Sequence, residues 1–276
     1  MNKIPITINK PLHNHKNKRL NIYCSNISSL SDHAIDYLFK ECPQFHIWSL
    51  LETRLDQNHT IAKHTNYVKN RSRKVHATPA IASALGGMAH GGELIAHIYN
   101  LNISAIDKAV FSFIESKTDV PLRICAVYVR LQKFSFVFVN AYFWDKVGPK
   151  HESNHAIFMQ LFLLQAVLGM KMFIRADFNC TPEELTESDW PCKLKMQVLV
   201  PEGPTAKGSD RIIDFALVHE DLFPLFSSIT IDHNTPWGPH YGLCLSVACT
   251  PNQITGNVLC KPKDLPMLQF NTIWKI

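Results

Sequence analysis

The sequence predicts a single domain of the α/β class, and four observations support this. A chain of 276 residues, 46% of them hydrophobic, can bury a large core, and one α/β domain of this length is ordinary. A short apolar run, Met172–Ile174, is typical of a buried strand. Thr181–Glu184 then supplies a helix start, with a Thr cap, a proline in the first turn and two acids. Ahead of both, Ser153–Met170 carries apolar residues at helical spacing.

The same patterns place the other elements. They predict a helix at Asp32–Glu41 and strands at Leu20–Cys24, Phe45–Leu51, Glu93–Tyr99, Arg123–Arg130, Phe134–Tyr142, Ile212–Val218, Ser228–Asp232 and Tyr241–Val247. The turn at 131–133 makes the strands on either side of it a hairpin candidate. The basic run His59–Lys74 predicts a solvated loop, with contact to phosphates as the functional alternative. Paired glycines at 86–87 and 91–92 indicate turns, because they precede a strand, whereas a phosphate loop precedes a helix.

Composition and the two ends of the sequence indicate how the chain is divided into segments. Residues 1–19 are expected to form a basic flexible arm, residues 20–249 the domain, and residues 250–276 a C-terminal extension or linker. The formal net charge of +5 suits a polyanionic partner without requiring one. No apolar run approaches membrane-spanning length, and Met1–Arg19 lacks an apolar signal core. We therefore expect no membrane span, no signal peptide and a monomer.

The eight cysteines form no Cys-x-x-Cys pair. Cys24, Cys125 and Cys244 lie inside apolar strand-like runs, so buried free thiols and a reducing compartment are expected.

Polar side chains mark the ends of the predicted strands. Asp177 and Asn179 follow the strand at Met172, and because alternate strand residues share a face, we expect them to point the same way. The full set at or beside strand ends is Asn26, Glu52, Tyr142, Asp177, Asn179, Asp214 and His240. Carboxylates supply oxygen ligands for magnesium, amides and a phenol can hold phosphate oxygens, and an Asp can raise the pKa of a His. This inventory indicates phosphoester cleavage.

The ordered motifs resemble the endonuclease/exonuclease/phosphatase superfamily from about residue 20 to residue 247. They are Asn26 after the first strand, Leu51–Arg54 (like Gln-Glu-Thr/Ser), Asn140–Tyr142 (like Asn-x-Tyr), Ala176–Asn179 (like Gly-Asp-Phe-Asn), Ser209–Phe215 (like Ser-x-Ile-Asp-Tyr, with an extra residue) and Pro239–His240 (where the family has Ser-Asp-His). This superfamily includes abasic-site and retrotransposon endonucleases, and the resemblance to it implies a four-layered α/β sandwich. In it, two mainly antiparallel β-sheets pack face to face with helices on the outer faces.

The resemblance also implies a metal site. Glu52 would be the main Mg²⁺ ligand with Asn26 adjacent to it, and Mn²⁺ is an alternative ion. The sequence departs from the pattern at Ser28 and Pro239, where family members have Asp, and mildly at Ala176, where they have Gly. Loss of the acid before the last His removes one candidate ligand, so a single-metal scheme is expected rather than a two-metal one.

The remaining roles are carried over in the same way. Asp177 would orient or deprotonate the attacking water, while Asn179 and Tyr142 would hold the phosphate. His240, supported by Asp214, would stabilise charge on the phosphoryl oxygens. Whether the Asp or the His is the base stays open.

The substrate expectation is a nucleic acid, with DNA favoured over RNA. Phe143, Trp144 and Trp237 are candidate aromatic walls that stack on bases, with packing at the sheet rim as the alternative. A positive surface is expected from Lys146, Lys150, Lys207 and Arg211. Two alternatives stay open, a phosphomonoesterase on inositol phosphates or phospholipids and a weakened nucleic-acid-binding pseudoenzyme.

Two glycosylation sequons begin at site residues, Asn26 and Asn179. Glycosylation there would block the site, so an intracellular location, nuclear or cytoplasmic, is expected.

Overall fold

The computed structural model describes residues 19–82, 87–118 and 120–249. The first elements along the chain are β1 (Arg19–Asn26), α1 (Asp32–Glu41), β2 (Ile47–Leu51), α2 (Asn58–Lys69), β3 (Arg73–Thr78), β4 (Glu93–Ile98), β5 (Ile103–Ala105) and α3 (Lys108–Thr118). They are followed by β6 (Ile124–Arg130), β7 (Ser135–Tyr142), α4 (Glu152–Leu168), β8 (Met172–Asp177), α5 (Pro182–Thr186), α6 (Trp190–Lys193), β9 (Met196–Leu199), β10 (Asp214–His219), a 3-10 turn (Phe223–Leu225), β11 (Thr230–Asp232) and β12 (Gly242–Ala248).

The strands form two six-stranded sheets. The first sheet has the order β11-β12-β1-β2-β4-β3, and the second has the order β5-β6-β7-β8-β10-β9. Each contains one parallel pair, β1–β2 in the first sheet and β7–β8 in the second, and the other pairs are antiparallel. Helices α1 and α4 make the two parallel crossovers, as parallel strands require a long connection.

Three apolar layers hold these elements together. Leu20, Phe138 and Phe173 belong to the layer between the two sheets. The outer layer of the second sheet is filled from α4, by Ile157 and Leu161 among others. The outer layer of the first sheet is filled from α1 and α2. The predicted four-layered sandwich is therefore confirmed.

Both faces of the central strands are buried, which explains their continuous apolar sequences. In β7, Phe136 and Phe138 face the other sheet, whereas Val137 and Val139 face α4. By the same alternation Asn140 points toward the other sheet. The residues of β7 on this face lead to the site at the end of the strand.

The prediction for His59–Lys74 was wrong. This segment contains most of α2 and the start of β3. Ile61, Thr65 and Val68 recur at helical spacing, and Ile61 and Val68 pack on the first sheet. The density of charged residues hid this apolar stripe from a judgement based on charge.

Other boundaries differ modestly. Elements β3, β5, α3, α6 and β9 had not been predicted as separate elements. Arg19 belongs to β1 rather than to the N-terminal arm, and the rest of that arm and residues 250–276 lie outside the described residues. Cys24 and Cys125 are buried free thiols, as predicted, whereas Cys244, predicted with them, is a free thiol that is only half-buried. Among the described helices, none has the length and apolar character needed to cross a bilayer.

Candidate active site

The predicted site residues come from both sheets and meet at one edge of the sandwich. Asn26 ends β1, Tyr142 ends β7 and Asp177 ends β8. Asp214 begins β10, and because β8 and β10 are antiparallel it lies opposite Asp177. His240 lies two residues before the start of β12, which pairs with β1. Register groups these residues within each sheet, and the packing of the two sheets brings the two groups together at the same end of the sandwich.

A chain of contacts links four of these side chains. The Nδ1 atom of His240 donates to Asp214 Oδ2 over 2.6 Å, since an ionised carboxylate can only accept. Asn26 Nδ2 donates to Asp177 Oδ2 over 2.9 Å and lies 3.3 Å from His240 Nε2. Nε2 is in turn 3.7 Å from Asp177 Oδ2. Asp177 and Asp214 are fully buried, so the four residues form one continuous polar path between the sheets.

Burial and neighbouring charges shift both titratable partners. Burial, and then the charge of Asp214, raise the pKa of Asp177 well above its ordinary value. Burial alone would lower the pKa of His240, but Asp214 and then Asp177 outweigh it and raise that pKa to about 9. His240 therefore carries a positive charge at neutral pH, next to two carboxyl groups.

Asn179 lies at the site, but not for the predicted reason. Strand β8 ends at Asp177, and Asn179 has a left-handed backbone with φ of 52°. Its N–H donates to Asp177 Oδ1 over 3.1 Å, and its Nδ2 donates to the Phe143 carbonyl over 2.8 Å. The expectation that alternation along a strand aligns the two side chains was thus wrong, and a turn after the strand brings them together instead.

Glu52 lies just beyond β2, on the Tyr142 side of the site. Its charge and that of Asp177 contribute to raising the pKa of Tyr142, although burial of the phenol is the larger cause. Glu52 Oε1 accepts from Nε and Nη2 of Arg54, over 3.2 and 2.6 Å. Glu52 and Arg54 both have positive φ, 55° and 57°, so with Asn179 three non-glycine residues at this edge adopt a costly backbone.

Comparison with solved structures identifies the fold. The endonuclease domain of TRAS1, a telomere-specific non-LTR retrotransposon, superposes with a TM-score of 0.58 and 14% identity, over 84% of this chain and 99% of that one. The AP endonuclease of Leishmania major gives a TM-score of 0.63 and 11% identity, over 84% of this chain and 88% of that one. The 3′ phosphatase NExo from Neisseria, bound to a product DNA hairpin, gives 0.57 and 15%, over 82% and 98%.

The chain has the endonuclease/exonuclease/phosphatase fold. At these identities the likeness concerns the fold alone. Neither the protein-family models nor the curated proteins contain a match to the sequence.

Two sets of side chains at this edge of the endonuclease/exonuclease/phosphatase fold contain atoms that could bind a metal ion. The ligand atoms of Asp177, Asp214 and His240 lie within 4.8 Å of one another. Within this group, Asp214 Oδ1 binds the buried Arg175 guanidinium over 3.0 Å and Asp214 Oδ2 accepts from His240 over 2.6 Å, so these side chains already satisfy one another. We therefore interpret this group as an ion-pair network.

The Glu52 side of the site fits magnesium better. Glu52 Oε2 has no hydrogen-bond partner among the described residues and is not sealed from solvent. Asn26 Oδ1 accepts one N–H, from Ser28 over 3.0 Å, and keeps a second lone pair. Hard oxygens of this kind are what magnesium prefers, so the predicted ligands remain suitable.

Arg175 is a buried residue that contacts the site and that the sequence analysis missed. It is fully buried in β8, its Nη2 binds Asp214, and its Nε and Nη1 have no partner among the residues described. The sequence contained a signal for this residue, because Arg175 is a charged residue inside the apolar run Met172–Ala176. A buried charge is rare unless it is paired, so its position predicts a partner.

The rim of the site differs from the expected positive surface. Lys207 donates to the carbonyl oxygens of Thr235 and Trp237, and Arg211 lies 3.8 Å from Glu184. Two of the four expected cations are thus already engaged within the protein. The other two, at positions 146 and 150, are exposed, although position 146 lies 3.8 Å from a neighbouring carboxylate.

The aromatic residues are divided between core and rim. Phe143 is 1% exposed and packs against Phe158 and Phe178, which confirms the packing alternative for this residue. Trp144 and Trp237 are half-buried at the rim, and the Trp237 indole N–H donates to Ser25 Oγ over 2.8 Å.

Proposed function

We propose that this protein is a magnesium-dependent phosphodiesterase that cleaves a nucleic acid by in-line attack of water. The observation that carries the proposal is the linked set Asp214, His240, Asn26 and Asp177, which two sheets bring together at one edge. It combines a carboxyl group poised to take a proton with a cation poised to stabilise a phosphoryl oxygen.

Each residue has a role that follows from its contacts. Asp177 orients the attacking water and takes its proton, and Asn26 holds that carboxylate through Nδ2. His240, kept charged by Asp214, stabilises negative charge that develops on the phosphoryl oxygens. When bound by Glu52 and Asn26, magnesium would supply a Lewis acid for the same oxygens.

The phosphate contacts are assigned to Tyr142 and Asn179. Tyr142 is half-buried at the end of β7 and offers its phenol O–H, which burial keeps protonated by raising its pKa. Asn179 also holds Asp177 through its backbone N–H, and its Nδ2, which donates one N–H to the Phe143 carbonyl, keeps a second N–H for the phosphate.

A nucleic acid is favoured over a small phosphoester. The similar structures are those of two endonucleases and a phosphatase bound to a DNA product. We propose DNA as the preferred substrate and a monomer as the active form. The sequons at Asn26 and Asn179 fall on residues that are 0% and 9% exposed, which supports the proposal of an intracellular location.

The test is magnesium-dependent nicking of supercoiled plasmid DNA, beside cleavage of a labelled RNA. Asp177→Asn keeps the size of the side chain and one acceptor oxygen, and we expect it to lower cleavage by at least about 100-fold. Asp221→Asn is the matched control, because Asp221 is an exposed carboxylate paired with Lys171, and it should cleave like the wild type. Thermal unfolding checks that both variants fold.

Three outcomes would redirect the assignment. Cleavage that survives Asp177→Asn would contradict the proposed site. Release of phosphate from inositol phosphates, with no cleavage of either nucleic acid, would favour the phosphomonoesterase. Salt-dependent DNA binding without any cleavage would favour the pseudoenzyme.

A further inference from the structure

Two buried polar side chains next to the site have no hydrogen-bond partners at their ends. Glu93, at the start of β4, is 1% exposed, and neither of its carboxyl oxygens is bonded among the residues described. Arg123, just before β6, is 3% exposed, and its Nη1 and Nη2 are equally without partners there. Unpartnered buried groups are costly, so stability is a weak reason for this arrangement.

Gly91 lies between the Glu93 carboxyl group and the Arg123 guanidinium. Its φ is 76°, and the point where a Cβ would lie is 3.3 Å from Arg123 Nη2 and 3.4 Å from Glu93 Oε1. The same point is 3.3 Å from the Tyr142 ring. The absence of a side chain at Gly91 therefore lets Glu93, Arg123 and Tyr142 approach one another.

The inner part of the Arg123 side chain is firmly placed. Its Nε donates to the Tyr142 carbonyl over 2.8 Å, and its Cζ lies 4.8 Å from the centre of the Tyr142 ring. The same Cζ lies 3.9 Å from the centre of the Trp144 ring. The guanidinium thus lies over two aromatic rings, the phenol assigned to the phosphate and a half-buried tryptophan.

We propose that Arg123 is a positioning residue that fixes the direction of the Tyr142 phenol, and that Glu93 holds the Arg123 guanidinium in place. The proposal rests on the phosphate-holding role of Tyr142 in the proposed function. Arg123 contacts no substrate itself, because its guanidinium is enclosed, and it acts through the backbone and ring of Tyr142.

The first experiment is a double-mutant cycle on DNA cleavage. Arg123→Lys keeps the charge but loses the bond to the Tyr142 carbonyl and the planar stack, so we expect kcat to fall about 10-fold or more, with a smaller change in KM. In a Tyr142→Phe background the same substitution should change kcat by less than about 2-fold, because its target is already lost. Equal effects in both backgrounds would overturn the proposal.

Matched controls exclude a general structural effect. Arg130→Lys changes an exposed arginine at the other end of β6 that also lies over a tyrosine ring, that of Tyr128 at 5.2 Å, and it should leave kcat unchanged. Above about pH 8, where Glu93 is ionised, Glu93→Gln removes the negative charge near the guanidinium, and we expect it to lower kcat in the same direction as Arg123→Lys.

A second measurement decides the proposal even if the protein cleaves nothing. With ¹³C-labelled tyrosine, the ring resonances of Tyr142 can be assigned by their loss in Tyr142→Phe. We expect them to shift in both Arg123→Lys and Glu93→Gln and to stay fixed in Arg130→Lys. Unchanged Tyr142 resonances in the first two variants would overturn the positioning role, whereas absence of cleavage by the wild type would contradict only the proposed function.

Discussion

Near the site, the state of individual residues depends on burial more than on residue type. Burial raises the pKa of Glu93 to about 8, and Arg123, the next largest influence, lowers it only in part. Burial also acts to lower the pKa of His240, but the nearby charge of Asp214 raises that pKa by more, so the imidazole stays charged. Desolvation thus keeps the Glu93 carboxyl neutral, whereas the His240 imidazole stays charged despite it.

Glu93 predicts a pH dependence of stability. Its pKa is about 8 when folded and near the ordinary value of 4.5 when unfolded, so between these pH values the folded state keeps a proton that the unfolded state has released. Its contribution is therefore present below about pH 4.5 and is lost as the pH rises through about 8. We expect Glu93→Gln to be more stable than the wild type at pH 9, by on the order of a few kcal/mol.

The measurement is urea unfolding of both proteins at pH 5, 7 and 9. The difference in unfolding free energy should grow in favour of the variant as the pH rises. A difference that is independent of pH would show that Glu93 does not titrate in this range.

Glu52 carries the metal prediction at the residue scale. Glu52→Gln removes the charge of the main proposed ligand while keeping its size, so we expect magnesium or manganese affinity to fall at least about 10-fold. Calorimetric titration with each ion measures this directly. Glu41→Gln, at the exposed end of α1, serves as the control and should bind the ion like the wild type.

At the scale of elements, close packing between neighbouring strands restricts which residues fit. Gly242, at the start of β12, lies against the buried Tyr23 of β1, and a Cβ there would overlap the Tyr23 phenol. Tyr23 cannot easily move, because it is fully buried and its hydroxyl donates to Asp232 over 3.0 Å.

Gly242→Ala should therefore destabilise the protein by about 1–3 kcal/mol. Gly203→Ala is the control, since the nearest atom to a Cβ there is an Ile231 methyl at an ordinary 3.5 Å. Chemical denaturation of the two variants compares them, and an equal loss in both would contradict the packing argument.

At the scale of the whole molecule, polar side chains connect the two sheets. Asn140 of β7 is fully buried, and its Nδ2 donates to the carbonyl oxygens of Leu50 and Leu94 in the first sheet, over 3.3 and 3.0 Å. Its Oδ1 accepts from Ser49 Oγ over 2.6 Å. One side chain thus bonds to three groups of the first sheet.

Removing this connection should be costly. Asn140→Ala would leave one hydroxyl and two carbonyl groups without their partner in a buried layer, so we expect a loss of about 2–4 kcal/mol. Asn66→Ala, on the exposed face of α2, should change stability by less than about 0.5 kcal/mol. Thermal and urea unfolding of both variants test the difference.

The sequence by itself predicted the layers, which the structure confirms, and the residues that are proposed for the site. Apolar runs such as Met172–Ile174 and the capping residues at Thr181, whose capping box is present, are local signals that act over a few residues. The motif order then predicted the sandwich and each polar residue at a strand end. Where charge masked a weak apolar stripe, as in α2, local signals failed.

Only the tertiary structure decided which of these residues touch. Asn26 and Asp177 are 151 positions apart, and Asp214 meets His240 across a register that no local pattern encodes. The turn that brings Asn179 back to Asp177, and the burial that shifts their pKa values, likewise arise when the two sheets close on each other. Sheet pairing and desolvation depend on residues distant in sequence, so they appear only once the chain has folded.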